Sequence, residues 1–488
     1  MSTQSPCALL ELSIESLLRD EALAKDAVED LPRELFPPVF MEAFTKGLIE
    51  VLKVMVLSWP FPSLPLGALM TMSKPGTVDT HKDAMRVQKR ILKAVLYGLD
   101  VLLSQKVYSR RLKLQVLDMQ DKQNFWRTWA GNQVEACSSE AMEMRKTGKS
   151  GTRETNQKTL KVILDLWINQ DVVCPLTSYL LKWVHDRGDL VQLEYKRLYV
   201  TSMCIHCVTD QLQMVNFESV LEVEVGYCWT LFDLADFATY LRQMRNLYKL
   251  TLSDISEPAF TSRVRRDQLI TQITSQFLKL HCLQEIYMVS VSFLKDHLDQ
   301  VLRCLPTPLE TLSVTHSQLS HSDWNQLPCS EQTRQLKHFE LCCISLTNFS
   351  PEPLQILLDN VAATLTTLHL ENCGITDAQV CAFLPSLSCC SQLTALCFVG
   401  NFMSVGTMKN LLSHTARMSN LTLELYSPPQ EVHVPRNGDL QQIQEPLRRM
   451  MRTLNYPRTV WFCVHQESGH NHPVYNLRPS PCPTCILI

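Results

Sequence analysis

The chain has 488 residues, a formal net charge of −3, 14 Gly and 19 Cys. That length can bury a large core, and the near balance of charge excludes the strongly basic footprint of a general nucleic-acid binder. Scarce Gly argues against Gly-rich nucleotide loops and tight-turned all-β folds, and no run of about 18 apolar residues exists to span a bilayer.

Residues 1–130 read as a helical region. Leu9 to Val28 has helical periodicity, with Leu10, Ile14, Leu17 and Leu18 on one side. Pro32 is predicted to stop it. Pro37–Pro38 is expected to force an extended break before a helix from Phe40 to Trp59. Pro60, Pro62 and Pro65 form a rigid connector, followed by a helix from Lys82 to Leu103 and a strand-like Leu112–Leu117. The N-terminus has acidic residues in its first helix and lacks an apolar core behind a charged start, so it does not read as a signal peptide. A reducing compartment follows, with most thiols free: the cytoplasm, with the nucleus as second location.

Residues 131–158 are polar with few large apolar side chains and read as a disordered loop. Gly148-Lys149-Ser150 imitates the end of a phosphate loop, but Glu143 stands where Gly is required. Arg145, Lys146, Lys149 and Arg153 fit either a nuclear import signal or a solvated loop. Residues 159–215 are expected to cap a repeat array, with helices over Thr159–Leu166 and Leu176–Val184 and a strand around Leu198–Val200.

Residues 216–430 carry an internal repeat. Leu365, Leu368, Leu370, Cys373 and Ile375 fill L-x-x-L-x-L-x-x-C/N-x-L, and Leu393, Leu396, Phe398, Asn401 and Met403 fill it again. Upstream, units start at Val220, Leu247, Leu283, Leu309 and Leu336; the seven starts step by 27, 36, 26, 27, 29 and 28 residues. Met418, Leu421 and Leu423 offer a weaker further unit. This is the leucine-rich repeat, one strand plus one helical return. The predicted fold is an α/β leucine-rich-repeat solenoid, a horseshoe, with a helical N-terminal region and a C-terminal cap. Because strand side chains alternate, Lys249, Thr251, Glu285, Tyr287, Ser313, Thr315, His338, Glu340, His369 and Glu371 are predicted to line the concave face and hold a protein substrate, with Tyr287 as the best anchor.

Residues 431–488 form the cap and tail: an amphipathic helix over Gly438–Leu454, a strand over Val460–Val464, then irregular chain. His465, His470, His472, Cys482 and Cys485 suggest zinc. The terminal Cys485-Ile-Leu-Ile has the form C-a-a-X, whose prenylation would attach the chain to membranes. The two uses compete for Cys485. Two LxxLL motifs, Leu99/Leu102/Leu103 and Leu354/Leu357/Leu358, fit either receptor docking or a core-facing helix. No catalytic signature appears: no H-E-x-x-H, no G-x-S-x-G, no complete phosphate loop. No cofactor is expected.

Long segments carry a family resemblance. LLRDEALAKDAVEDLPRELFPPVFMEAF (17–44), WPFPSLPLGALM (59–70), LYGLDVLLSQKV (96–107), TSQFLKLHCLQ (274–284), SPEPLQILLDN (350–360) and ENCGITDAQV (371–380) resemble the PRAME family over essentially the whole chain. The resemblance implies a non-enzymatic substrate receptor of cullin-2 RING ubiquitin ligases, recruited through Elongin B and C. It also implies germline expression, repression of retinoic-acid signalling, and effects on proliferation, differentiation and apoptosis. An Elongin-binding box, small-L-x-x-x-small-x-x-x-φ, is matched by Ala22, Leu23, Ala27 and Leu31, with Ala where Cys is commonest. A cullin-2 box, φ-P-x-x-φ-x-x-x-φ, follows at Leu31, Pro32, Leu35 and Val39. Leu23, Ala27 and Leu31 would form one helical stripe for helix-in-groove recognition.

Overall fold

A backbone turn into positive φ recurs at the eighth position of every repeat. Tyr227, Asp254, Ser290, His316, Cys343, Asn372 and Gly400 have φ of 64°, 51°, 52°, 49°, 56°, 50° and 76°. Their spacing is that of the repeat starts, so the sequence register and the backbone agree residue for residue. At Gly400 the need is absolute, because a Cβ there would lie 1.8 Å from Asn372 Oδ1.

The computed structural model describes residues 9–72, 81–104, 112–120, 159–169, 175–202, 204–258, 260–401, 403–432, 441–463 and 485–488. The polar loop 131–158 and the histidines of the tail lie outside them. Two compact units are present: 1–166 with 171–196, and 167–170 with 197–488.

The first unit is built on aromatic packing. Trp59 is fully buried against the edges of Phe36 and Phe40, with centroids 6.2 and 5.1 Å away, and its Nε1 donates to Ser63 O at 2.9 Å. Helices Phe36–Lys46, Ile49–Leu57 and His81–Ser104 surround this core. Strands β1 (Ser63–Pro65), β2 (Val116–Asp118) and β3 (Leu160–Ile168) pair in parallel, and most of β4 (Val191–Val200) belongs here as well.

Several expectations need correction here. Pro37 and Pro38 do not break the chain; they occupy the first turn of Phe36–Lys46, where their missing N–H groups cost nothing. The helix expected over Phe40–Trp59 is two helices, divided at Gly47 (φ 66°). Leu9–Val28 likewise divides into Leu9–Leu17 and Glu21–Ala27, because the Asp20 carboxylate caps the second. Thr159–Leu166 is not a helix but most of β3. Leu160, Val162 and Leu164 are buried and Lys161 is exposed, a period of two. Leu160, Ile163 and Leu164 also fit a helical spacing, and so short an apolar run satisfies both.

In the second unit each strand pairs in parallel with the next: β5 (Glu222–Thr230), β6 (Lys249–Ser256), β7 (Glu285–Val291), β8 (Thr311–Thr315), β9 (His338–Cys342), β10 (Thr367–Glu371), β11 (Ala395–Phe398), β12 (Leu423–Tyr426) and β13 (Trp461–Cys463). The last strand, β14 (Cys485–Leu487), returns antiparallel on β13. One buried column therefore runs Val223, Leu250, Ile286, Leu312, Phe339, Leu368 and Leu396. Helices return between strands, several opened by capping boxes at Thr230/Asp233, Ser320/Asp323 and Thr376/Gln379. These caps also join repeats. Asp323 accepts from the N–H groups of Asp296 and Leu298 one repeat earlier, at 2.8 and 3.1 Å.

The last repeat is shifted from its expected register. Leu396 pairs with Glu424 and Phe398 with Tyr426, so the unit begins at Leu421, not Met418. A carboxylate and a phenol fill positions that are apolar elsewhere. Glu424, 1% exposed, is matched by three donors: Tyr426 and Tyr456 hydroxyls at 2.8 and 2.7 Å and Arg458 at 3.1 Å.

Candidate partner-binding surfaces

The N-terminal surface begins with Asp20. Its carboxylate accepts from the N–H groups of Ala22 and Leu23 at 2.9 and 3.2 Å and starts the helix Glu21–Ala27. Ala24 and Val28 face the core at 2% exposure each, which turns Leu23 outward at 56%. Leu9, Leu10 and Leu12 are exposed as well, at 82, 42 and 51%. Four large apolar side chains within 15 residues of chain (9–23) are an unusual exposure for a folded surface. The predicted stripe is shorter than expected. Ala22 is exposed and Ala27 half-buried, but the helix ends at Ala27, and Leu31 lies beyond it, buried in its own unit. In the second box Pro32 is exposed, Leu35 is half-buried and Val39 is buried among the aromatic residues.

The strand face opposite the helices brings the other predicted residues into rows. Lys249 stands beside Glu285, Thr251 beside Tyr287, Tyr287 beside Ser313, Ser313 beside Glu340 and Glu340 beside His369, each on adjacent strands. Lys249, Thr251, Glu285, Thr315, His338, Glu340 and Glu371 are half-buried. The expectation that all ten project freely is corrected for three. Tyr287 is 4% exposed, covered by Lys249 with Nζ 4.7 Å from its ring centroid, and its hydroxyl donates to Glu285 at 2.9 Å. Ser313 is 2% exposed and donates to Glu340 at 2.8 Å. His369 is 4% exposed, with Nε2 2.8 Å from Glu371. Side chains on neighbouring strands are close enough to satisfy one another before any partner arrives. The more open aromatic is Trp167, 61% exposed and stacked on Tyr199 at 4.0 Å. Spacing did not single it out, because it precedes the first repeat.

Electrostatics divide the two predicted histidines. Burial lowers the His338 pKa. Burial acts the same way on His369, but Cys397, Glu371 and Glu340 outweigh it and raise that ring well above the ordinary value. Cys397 was not foreseen. Its signal was its register, 28 residues after His369 and directly beside it on β11. Cys204 and Cys207, with Sγ atoms 3.0 Å apart, form a C-x-x-C pair that was also overlooked.

The LxxLL leucines turn inward. Leu99, Leu354, Leu357 and Leu358 are at most 3% exposed, Leu102 is 6% exposed and Leu103 is half-buried. They pack their own units and present no docking face. Cys485 lies in β14, paired with Cys463. Among the described residues no helix is long and apolar enough to cross a membrane.

Comparison with known proteins accounts for the whole architecture. The model of the PRAME N-terminal domain matches residues 6–126 and that of the PRAME C-terminal domain matches 160–485. PRAME family member 12 of Homo sapiens is 44% identical over 488 residues, 99% of this chain and 98% of that protein. PRAME family member 20 of Homo sapiens is 44% identical, over 99% of this chain and all of that protein. Among solved structures, the Rad7 and Elc1 complex of yeast matches at TM-score 0.40 and 15% identity, covering 88% of this chain and 97% of that one. An internalin from Listeria monocytogenes matches at TM-score 0.30 and 16% identity, covering 49% of this chain and 66% of that one. With its two domains matched in order and human relatives similar from end to end, this leucine-rich-repeat chain belongs to the PRAME family.

Proposed function

We propose that this protein is a non-enzymatic substrate-recognition adaptor of a cullin-2 RING ubiquitin ligase, working in the cytoplasm. The observation that carries the reading is Leu23, exposed on a capped helix whose other face is anchored in the fold. An apolar side chain held outward on a rigid element is what a partner's pocket requires. Leu23 is the knob for Elongin C, Ala22 and Ala27 leave room for close approach, and Pro32 with Leu35 forms the exposed part of the cullin-2 contact. Leu31 and Val39 act indirectly, by fixing the chain between the two contacts. The strand face of the second unit holds the target protein. Tethering the target raises the effective concentration of its lysines near the charged conjugating enzyme. Control of proliferation, differentiation and apoptosis would then follow from which target is degraded.

The test is a quantitative pull-down of Elongin C and cullin-2 with the full chain. Leu23→Ser changes a solvent-facing position, so the fold is retained while recovery of both subunits falls at least tenfold. Pro32→Ala with Leu35→Ser reduces cullin-2 more than Elongin C. Equal recovery with wild type and Leu23→Ser removes the adaptor reading.

A further inference from the structure

His369, Glu371 and Cys397 each place a ligand atom within 4.8 Å of the others. They sit on β10 and β11, whose parallel pairing sets His369 and Cys397 side by side. Nε2 of His369 is held by Glu371 at 2.8 Å. Nδ1 is buried and makes no hydrogen bond of standard geometry. The atoms near it are the Cys397 thiol and Oε1 of Glu340, the latter at 3.5 Å. Leaving a buried polar atom without a partner costs about 1–3 kcal/mol. Here a histidine that is 96% buried by its 4% exposure has one nitrogen fixed by a carboxylate and the other bare. Metal-ligating histidines have that arrangement, in which the second nitrogen donates to a carboxylate that orients the ring.

We infer that this cluster is a binding site for a divalent cation of the zinc class, formed by His369, the Cys397 thiolate and a carboxylate from Glu340 or Glu371. The donor set decides the class. Imidazole nitrogen with thiolate sulfur selects zinc and its neighbours, whereas magnesium and calcium take oxygen-only shells. The dimensions fit. Bonds of about 2.0–2.3 Å put the donors of a tetrahedral ion about 3.3–3.8 Å apart, so inward shifts of under about 1 Å close the site. Binding converts the Cys397 thiol to a thiolate and releases its proton to solvent. The backbone is already arranged, because the three strands supplying the donors are fixed by the repeat. The side chains of Glu340 and Glu371 keep 15 and 22% exposure, which leaves an approach from the strand face. A second cluster, His316, Cys342 and Cys343, also converges, but His316 is exposed and nothing holds its ring in place. It is the competitor that the experiment must separate.

The full chain, stripped with EDTA and kept reduced, is titrated with Co²⁺ and followed by thiolate-to-cobalt charge-transfer absorption. Wild type is expected to take one equivalent with that band and to lose it when Zn²⁺ is added. Cys397→Ala abolishes the band, and Glu371→Gln weakens binding about 10- to 100-fold. The double variant Cys342→Ala/Cys343→Ala and the pair Cys204→Ser/Cys207→Ser keep it. Circular dichroism verifies each fold. If Cys397→Ala does not fold, His369→Gln replaces it with the same expected loss. No band in wild type, or a band that survives in Cys397→Ala or His369→Gln, overturns the inference. The outcome does not depend on Elongin binding, so the two readings fail separately.

Discussion

Asn401 shows at a single residue how one repeat completes another. It is fully buried, and its Oδ1 accepts from the N–H groups of Cys373 and Ile375 at 3.2 and 3.0 Å. Its Nδ2 donates to Leu370 O at 2.6 Å. One repeat earlier Cys373 does a lesser version, donating its thiol to Leu341 O at 3.3 Å, and burial pushes that thiol up to about 12. Ser317, at the same repeat position two units before Cys373, accepts from Val291 N–H at 3.0 Å. Asn401→Ala leaves two N–H groups and a carbonyl unpaired. At about 1–3 kcal/mol each, the expected loss in urea unfolding is about 3 kcal/mol or more; a loss under 1 kcal/mol would mean that water replaces the amide. The pattern position of Asn401 was legible in sequence. The positive-φ position was not, because Tyr, Asp, Ser, His, Cys, Asn and Gly share no side-chain chemistry. What they share is a place where the chain leaves the strand.

At the scale of elements, long periodic segments were readable and short ones were not. The helix expected over Leu176–Val184 is Pro175–His185, and the one expected over Gly438–Leu454 is Gln441–Thr453. The strand β3 was misread because nine residues satisfy either period when both faces carry apolar side chains. Its placement is marked by Lys161, whose Nζ lies 2.9 Å from Glu194 on β4, with Lys196 3.1 Å from the same carboxylate. Burial alone would raise the Glu194 pKa, but the two lysines reverse this and lower it. A carboxylate with a depressed folded pKa adds stability above its unfolded value, about 4.3, and loses it as pH falls through the folded value. Wild type should therefore be more stable than Glu194→Gln at pH 7, and the gap should close below about pH 4.3. Thermal unfolding at both pH values checks this, and a gap that persists in acid would assign the effect to shape, not charge. The exposed helix carrying Leu23 belongs to the same scale. Its existence follows from Asp20, but its length depends on where Val28 and Leu31 enter the core.

For the molecule as a whole, a repeat array must end, and the second unit ends on charge. Glu424 replaces the leucine of the buried column, and Arg458, arriving after the helix Gln441–Thr453, meets it while also donating to Met418 O at 3.1 Å. Breaking one partner of a buried pair costs about 3–5 kcal/mol, whereas replacing both with apolar residues is often neutral. Arg458→Met should lower stability by about that much, and adding Glu424→Leu should recover most of it. Calorimetry of the two variants decides. Failure of the double variant to recover would show that the Tyr426 and Tyr456 hydroxyls depend on the carboxylate.

The sequence by itself determined the repeat, its period and its register through Asn401, because a buried column of leucines must recur wherever a strand is covered by its own helix. It also determined the family and the position of Leu23. Only the tertiary structure decided which face residues stay free. Tyr287, Ser313 and His369 look alike from their place in the strand, yet each is closed over by a neighbour 26 to 36 residues away in the chain. Strand alternation assigns a side chain to a face, but the residues across the ladder decide whether it meets solvent, a partner or a metal ion.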